Sequence, residues 1–233
     1  MPNFDIIKEV KPDNTFRVNS IINNFDLDVD HIHEHFKGNI AIEDVDWNVG
    51  LIVGSSGTGK STIAKDCFGD SYIKGYEYIA KAVIDDMPKG KSIKDVEKAF
   101  TSVGFASPPS WLKPYSVLSY GEKMRVDLAR SILEEREIVV FDEFTSVVNR
   151  EVAKTSSYAI AKAVRKQGKK FVAVACHRDI IDWLEPDWIY DTDEKRFFIA
   201  RESSTAQKSN SKYTGLTTQL KSKYGKYLGS ITI

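Results

Sequence analysis

Two clusters of residues have the types and spacing for phosphate chemistry. The first is Gly54-Ser55-Ser56-Gly57-Thr58-Gly59-Lys60-Ser61, which satisfies every fixed position of G-x-x-x-x-G-K-[ST]. Its glycines let backbone N–H groups converge on an anion, and a helix starting at the end of the loop turns its positive end toward the same anion. Gly54 to Thr62 are therefore expected to wrap the phosphates of a nucleotide. Lys60 is expected to reach the β- and γ-phosphates of ATP, and the Ser61 hydroxyl to bind Mg²⁺. The second cluster is Ile138-Val139-Val140-Phe141-Asp142-Glu143, an apolar run ending in two acids. Acids at the carboxyl end of a central strand lie where α/β sheets bind ligands. Asp142 is expected to hold Mg²⁺ through water, and Glu143 to polarise the attacking water as a general base.

These residues need a strand before the glycine loop, a helix after it, and a second strand carrying the acids. Trp47–Val53 reads as a buried strand and residues 61–68 as a helix. Phe16–Leu27 and Gly38–Ile42 also read as strands, rich in β-branched and aromatic residues. Residues 72–104 read as mostly helical, broken at Pro88, Gly90 and Gly104. Pro108-Pro109 and Pro114 mark a turn-rich loop around Trp111. Residues 119–136 read as a helix and Ile138–Phe141 as a strand. A second helix spans 150–167 and stops at Gly168. Phe171–Ala175 reads as another buried strand, with a closing hairpin from Trp188–Tyr190 and Phe197–Ile199. Strands alternating with helices predict an α/β fold around a largely parallel sheet. From Arg201 the composition turns to Ser, Thr, Lys and Gly, with six Lys or Arg against one Glu. The expected organisation is one domain over 1–200 and a basic, solvated tail over 201–233.

The 233 residues suit one such domain and can bury a substantial core. Hydrophobic residues are 42% and charged residues 28%, a globular balance. Lys plus Arg and Asp plus Glu are equal at 33 each, so net charge gives no support to nucleic acid as a partner. Two cysteines, Cys67 and Cys176, exclude a disulfide framework. The charged start MPNFDIIKEVKPDN does not read as a secretory signal, and nowhere do about 20 apolar residues run together as a membrane helix requires. A cytoplasmic location without membrane insertion is expected.

Between the two phosphate clusters lies Leu118-Ser119-Tyr120-Gly121-Glu122, followed by Lys123-Met124-Arg125-Val126-Asp127-Leu128-Ala129-Arg130. Ser119 and Glu122 have the S-x-x-E spacing of a capping box, which leaves a helix N-terminus free to face a phosphate. The segment resembles the LSGGQ signature of the ATP-binding cassette (ABC) ATPases, and Asp142 to Asn149 (DEFTSVVN) resembles that family's DEPTSALD segment. The resemblance covers roughly residues 14–200. It implies a P-loop NTPase of the ABC type, with an antiparallel N-terminal β region and a short helical signature subdomain. It also implies an ATP-dependent homodimer in which Ser119, Gly121 and Glu122 serve the γ-phosphate bound by the other copy. Residues 146–149 become the D-loop at the seam. His177, directly after the strand Phe171–Ala175, becomes the switch histidine contacting the γ-phosphate.

The sequence departs from this family at Tyr120, Glu122, Phe144 and Asn149. No glutamine lies between Lys60 and Glu122, so the family's Q-loop is missing or rebuilt. Asp85 and Asp86, midway along, are the candidates to replace it. SPPSWLKP before the signature and CHRDIIDWLEPDW after the D-loop resemble a narrower group, the soluble ABC ATPases found alone or fused to a GNAT-type acetyltransferase. The missing glutamine and the short helical region favour an ATP-driven switch acting on a protein, including an acetyltransferase-like one, or on nucleic acid. The alternative is the ATP-binding subunit of a membrane transporter. Phe25 is the candidate to stack on adenine, with Phe16 and Phe36 as rivals. His31, His33 and His35 would share a strand face but lack a completing ligand, and are read as exposed rather than metal-binding.

Overall fold

The computed structural model describes residues 3–9, 12–27, 33–73 and 75–200. Strand β1 (Asn3–Glu9) leads to helix α1 (Phe16–Phe25), then β2 (His33–Asn39) and β3 (Val49–Val53). The phosphate loop joins β3 to α2 (Lys60–Phe68), which is followed by the short strand β4 (Tyr72–Ile73). A 3-10 turn at Val83–Asp86 precedes α3 (Ile93–Ser102), α4 (Pro108–Trp111) and α5 (Tyr120–Leu133). The chain then alternates β5 (Ile138–Phe141), α6 (Arg150–Gln167), β6 (Lys170–Ala175) and α7 (Ile180–Leu184), and closes with β7 (Trp188–Asp191) and β8 (Arg196–Ile199).

The main sheet has six strands in the order β4-β5-β6-β3-β7-β8, and β1 pairs with β2 in a separate antiparallel sheet. Within the main sheet every pairing is parallel except β7 with β8. The central strands are apolar on both faces because both are covered. Leu51, Val53, Val139 and Phe141 point into the core shared with α3, α5 and α6, while Ile52, Val140, Val172 and Val174 point to the side of Ile63, Ala64, Trp47 and Phe4. The fold is thus the expected α/β class, with a mostly parallel sheet, a separate antiparallel N-terminal pair and a helical segment carrying the signature.

Three local readings are corrected. Phe16–Leu27 is not a strand: Phe16–Phe25 is helix α1, capped by the Thr15 side chain accepting from the Val18 N–H and ended by Asp26 at φ 49°. Its Val18, Ile21, Ile22 and Phe25 follow the i, i+3, i+4, i+7 spacing of a helix face, which overrides their β-branched character. The second run forms a strand earlier than expected, at His33–Asn39 rather than Gly38–Ile42. Residues 72–104 are mostly not helical. They contain β4, an irregular strap and only one α-helix, α3, started by a Ser92–Asp95 capping box. Helix α6, by contrast, has the expected limits, with Gly168 at φ 65° as its stop. The tail 201–233 and His31 lie outside the described residues.

Candidate active site

The phosphate loop emerges from β3, the acids from β5 and His177 from β6. These strands are neighbours in register, with Val53 opposite Ala175 and Phe141 opposite Ala173. All three segments therefore leave the sheet at one edge. Gly59 has φ 83°, a conformation that favours glycine, and a Cβ there would lie 2.3 Å from the Phe36 ring. Among the described residues no side chain caps α2, so its first N–H groups face the loop. The Lys60 ammonium donates to the Ser55 carbonyl at 2.6 Å.

The turn between β7 and β8 grips the loop from the other side. Asp193 accepts from the Ser55 N–H at 3.0 Å, and the Thr58 and Thr192 hydroxyls hydrogen bond at 2.6 Å. A Cβ on Gly54 would lie 2.0 Å from the Thr192 hydroxyl, so the turn can approach only because residue 54 is glycine. Arg178, next to His177, donates to Asp191 at 2.9 Å and to Asp193 at 2.6 Å. Burial would raise the Asp193 carboxyl, but hydrogen bonds from Arg178 and Ser55 outweigh it and hold the group below the usual carboxylate range.

On β5, the Asp142 carboxylate accepts from the Glu143 N–H at 2.9 Å and from the Tyr72 hydroxyl. The Ser61 hydroxyl acts on the same phenol, favouring its charged form. Burial and the bond to Asp142 push the Tyr72 hydroxyl well above its ordinary pKa. Hard oxygens gathered this way, from a hydroxyl and a carboxylate, fit Mg²⁺. Glu143 and Thr145 have φ of 51° and 66°, and Glu143 is exposed. Non-glycine residues in this region cost of order 1–3 kcal/mol each, and such outliers cluster at functional sites.

The capping box at the start of α5 is formed as expected. The Ser119 hydroxyl accepts from the Glu122 N–H at 3.3 Å, and Glu122 accepts from the Ser119 N–H at 2.9 Å. A further bond from Ser110 at 2.9 Å fixes Glu122, whose carboxyl is lowered first by the Ser119 N–H. Gly121 lets α5 approach α6, since a Cβ there would lie 3.3 Å from Val152.

No family model matches the chain. A stretch of 56 residues, 23% of the chain, is 45% identical to an uncharacterized ABC transporter ATP-binding protein of Haemophilus influenzae, of which it spans 22%. Another match, 33% identical over 76 residues, covers 33% of the chain and only 6% of the ABC-type transporter MDR1 of Aureobasidium melanogenum. The chain thus spans under a quarter of either relative. Among solved structures, the dimeric cassette MJ0796 bound to ADP and Pi aligns with TM-score 0.58 at 15% identity, covering 74% of this chain and 94% of that one. The fold is that of an ATP-binding cassette. The cassette cbiO1 of Clostridium perfringens, part of the cbiONQ transporter complex, aligns with TM-score 0.56 at 19% identity, covering 73% and 82%.

Several departures of this chain from the resembled segments have physical accounts. Phe144, where proline is usual in the resembled segment, donates its N–H to the Val174 carbonyl at 2.9 Å, a bond proline cannot make. Its ring is buried against Phe171 at 5.7 Å. Asn149 caps α6, accepting from the Val152 N–H at 2.9 Å. Phe36, not Phe25, lies against the phosphate loop, beside a cleft of about 350 Å³ that includes Thr58, Tyr190 and Asp193. Phe25 stands at the end of α1, 68% exposed. Asp86 does not reach the acids: it accepts from the Ile79 and Ala80 N–H groups at 3.1 Å, while Asp85 is exposed. His35 pairs with Asp5, and among the described residues no cluster of His, Cys, Asp or Glu is arranged to hold a metal. The sequence reading missed Tyr72, Thr192, Asp193 and Arg178. Burial pushes the Cys67 thiol up to about 12, which makes it inert.

Proposed function

We propose that the chain binds ATP with Mg²⁺ and hydrolyses it within a head-to-tail dimer, in which α5 of one copy faces the phosphate loop of the other. The observation that carries this reading is the convergence of the glycine loop, Asp142-Glu143 and His177 at the adjacent carboxyl ends of β3, β5 and β6. Ser55 to Thr62 cradle the phosphates, and the Lys60 ammonium turns from the Ser55 carbonyl to the β- and γ-phosphates. Ser61 and Asp142 would hold Mg²⁺, and the ion would supply charge neutralisation for the phosphate oxygens. Glu143 takes a proton from water as its oxygen bonds to the γ-phosphorus and the bond to the bridging oxygen breaks, leaving ADP and inorganic phosphate. His177 donates to a γ-phosphate oxygen. Phe36 offers its face to adenine in the cleft beside the loop.

The dimer reading is supported by apolar groups left exposed around the signature. Tyr120 is 69% exposed and Val117 and Val147 are 64% exposed, at the start of α5 and in the D-loop segment. Isolated apolar residues on a surface are ordinary, but these three lie where the second copy would sit. No described helix is long and apolar enough to cross a membrane. We read the chain as a cytoplasmic switch acting on a protein or nucleic-acid partner. The names of its relatives favour a second reading, the ATP-binding subunit of a transporter. Copurification with a membrane protein from the native host would establish the second; copurification with a soluble protein or nucleic acid would establish the first. The chemistry itself is tested by nucleotide affinity and phosphate release, with tight MgATP binding and turnover expected. A protein that binds no ATP at millimolar concentration contradicts it.

A further inference from the structure

The strand β4 supplies a residue that no phosphate motif contains. Tyr72 sits opposite Val140 in the parallel pairing of β4 with β5, two residues short of Asp142. Its hydroxyl donates to Asp142. It thus spends its one donor on a residue read as a metal ligand. The Lys65 ammonium lies 5.0 Å from the centre of its ring, so the ring is held by α2 independently of the hydroxyl.

The chain after β4 is anchored on the signature helix. The Tyr78 hydroxyl donates to Asp127 at 2.6 Å, and the Tyr78 ring stacks on Tyr115 at 3.9 Å. Arg130 donates to the Glu77 carbonyl at 2.9 Å and lies 4.6 Å from the Tyr76 ring centre. A two-residue strand has few bonds of its own, and the chain beyond it is held against α5. Asp85 and Asp86, the acids in the same stretch, do not reach the site.

We propose that Tyr72 is the positioning residue of the metal site, its hydroxyl holding the Asp142 carboxylate in the orientation that would bind Mg²⁺. The proposal rests on the ATPase reading above. Without the phenol oxygen the carboxylate keeps the bond from the Glu143 N–H but loses its second anchor, and it must be ordered further when the ion binds, at a cost in affinity.

The test is binding of a fluorescent ATP analogue to the full chain, wild type and Tyr72→Phe, in EDTA and across a Mg²⁺ series. Tyr72→Phe keeps the ring over Lys65 and removes only the hydroxyl. Equal affinity in EDTA and about a tenfold higher Mg²⁺ midpoint in the variant are the expected results. Mn²⁺ binding followed by electron paramagnetic resonance should weaken by a similar factor. An unchanged or lower midpoint overturns the proposal while leaving the ATPase reading intact, and so does an equal loss of affinity with and without metal. If the wild type itself shows no Mg²⁺-dependent binding, the ATPase reading falls and the proposal with it.

Discussion

On the β5 side of the phosphate loop, the bond runs between side chains, Tyr72 to Asp142, with Glu143 exposed just beyond. On the β7 side they run from side chains to the loop itself, with Asp193 on the Ser55 N–H and Thr192 on Thr58. The first flank presents the groups proposed to handle the metal and the proton. The second holds the loop proposed to cradle the phosphates. The expected consequence is a division of effects, with turnover governed from one side and nucleotide affinity from the other.

The largest effect belongs to the first flank. Glu143→Gln should slow phosphate release about 10³-fold while ATP affinity stays within about twofold, because it removes the base but keeps the polar shape. His177→Ala should lower turnover about 10²-fold with binding retained. Comparable loss of affinity in either variant would erase the division. On the second flank, Asp193→Ala should weaken ATP binding about tenfold, since it strips a charge-assisted bond from the loop and leaves Arg178 one partner fewer. Turnover at saturating ATP should fall less than affinity, as isothermal titration and phosphate release together would show.

The smallest effect lies at Asp127, on the signature helix α5. Burial raises its carboxyl above the usual range despite hydrogen bonds from Tyr78 and Tyr115. A group that holds its proton more tightly when folded contributes stability at low pH, and that contribution is lost as pH rises from the ordinary carboxylate value through the folded one. Asp127→Asn should remove this slope. The difference in Tm between variant and wild type should grow in the variant's favour from pH 4 to pH 7, by a few degrees.

What the sequence disclosed follows the same division. The glycine loop, Asp142-Glu143 and the Ser119–Glu122 cap are local patterns whose geometry depends on spacing within one segment, and each stands where its spacing puts it. Helix α6 was legible because a polar-faced repeat ends at Gly168. Helix α1 was not, because Val, Ile and Phe favour strands and its local start signal is the single Thr15 cap. Phe36 could not be separated from Phe25 and Phe16 by type alone. Tyr72 acts through strand pairing with β5, and Asp193 reaches Ser55 from 138 positions away. Such contacts belong to tertiary structure, and no local pattern announces them.

The account stands or falls on whether the signature helix serves a phosphate held by another copy. Size-exclusion chromatography with light scattering on Glu143→Gln, with and without ATP and Mg²⁺, addresses this most directly. The account predicts a shift on adding nucleotide from the 26.3 kDa of one chain to twice that mass. A protein that stays at the mass of one chain with ATP bound would contradict it.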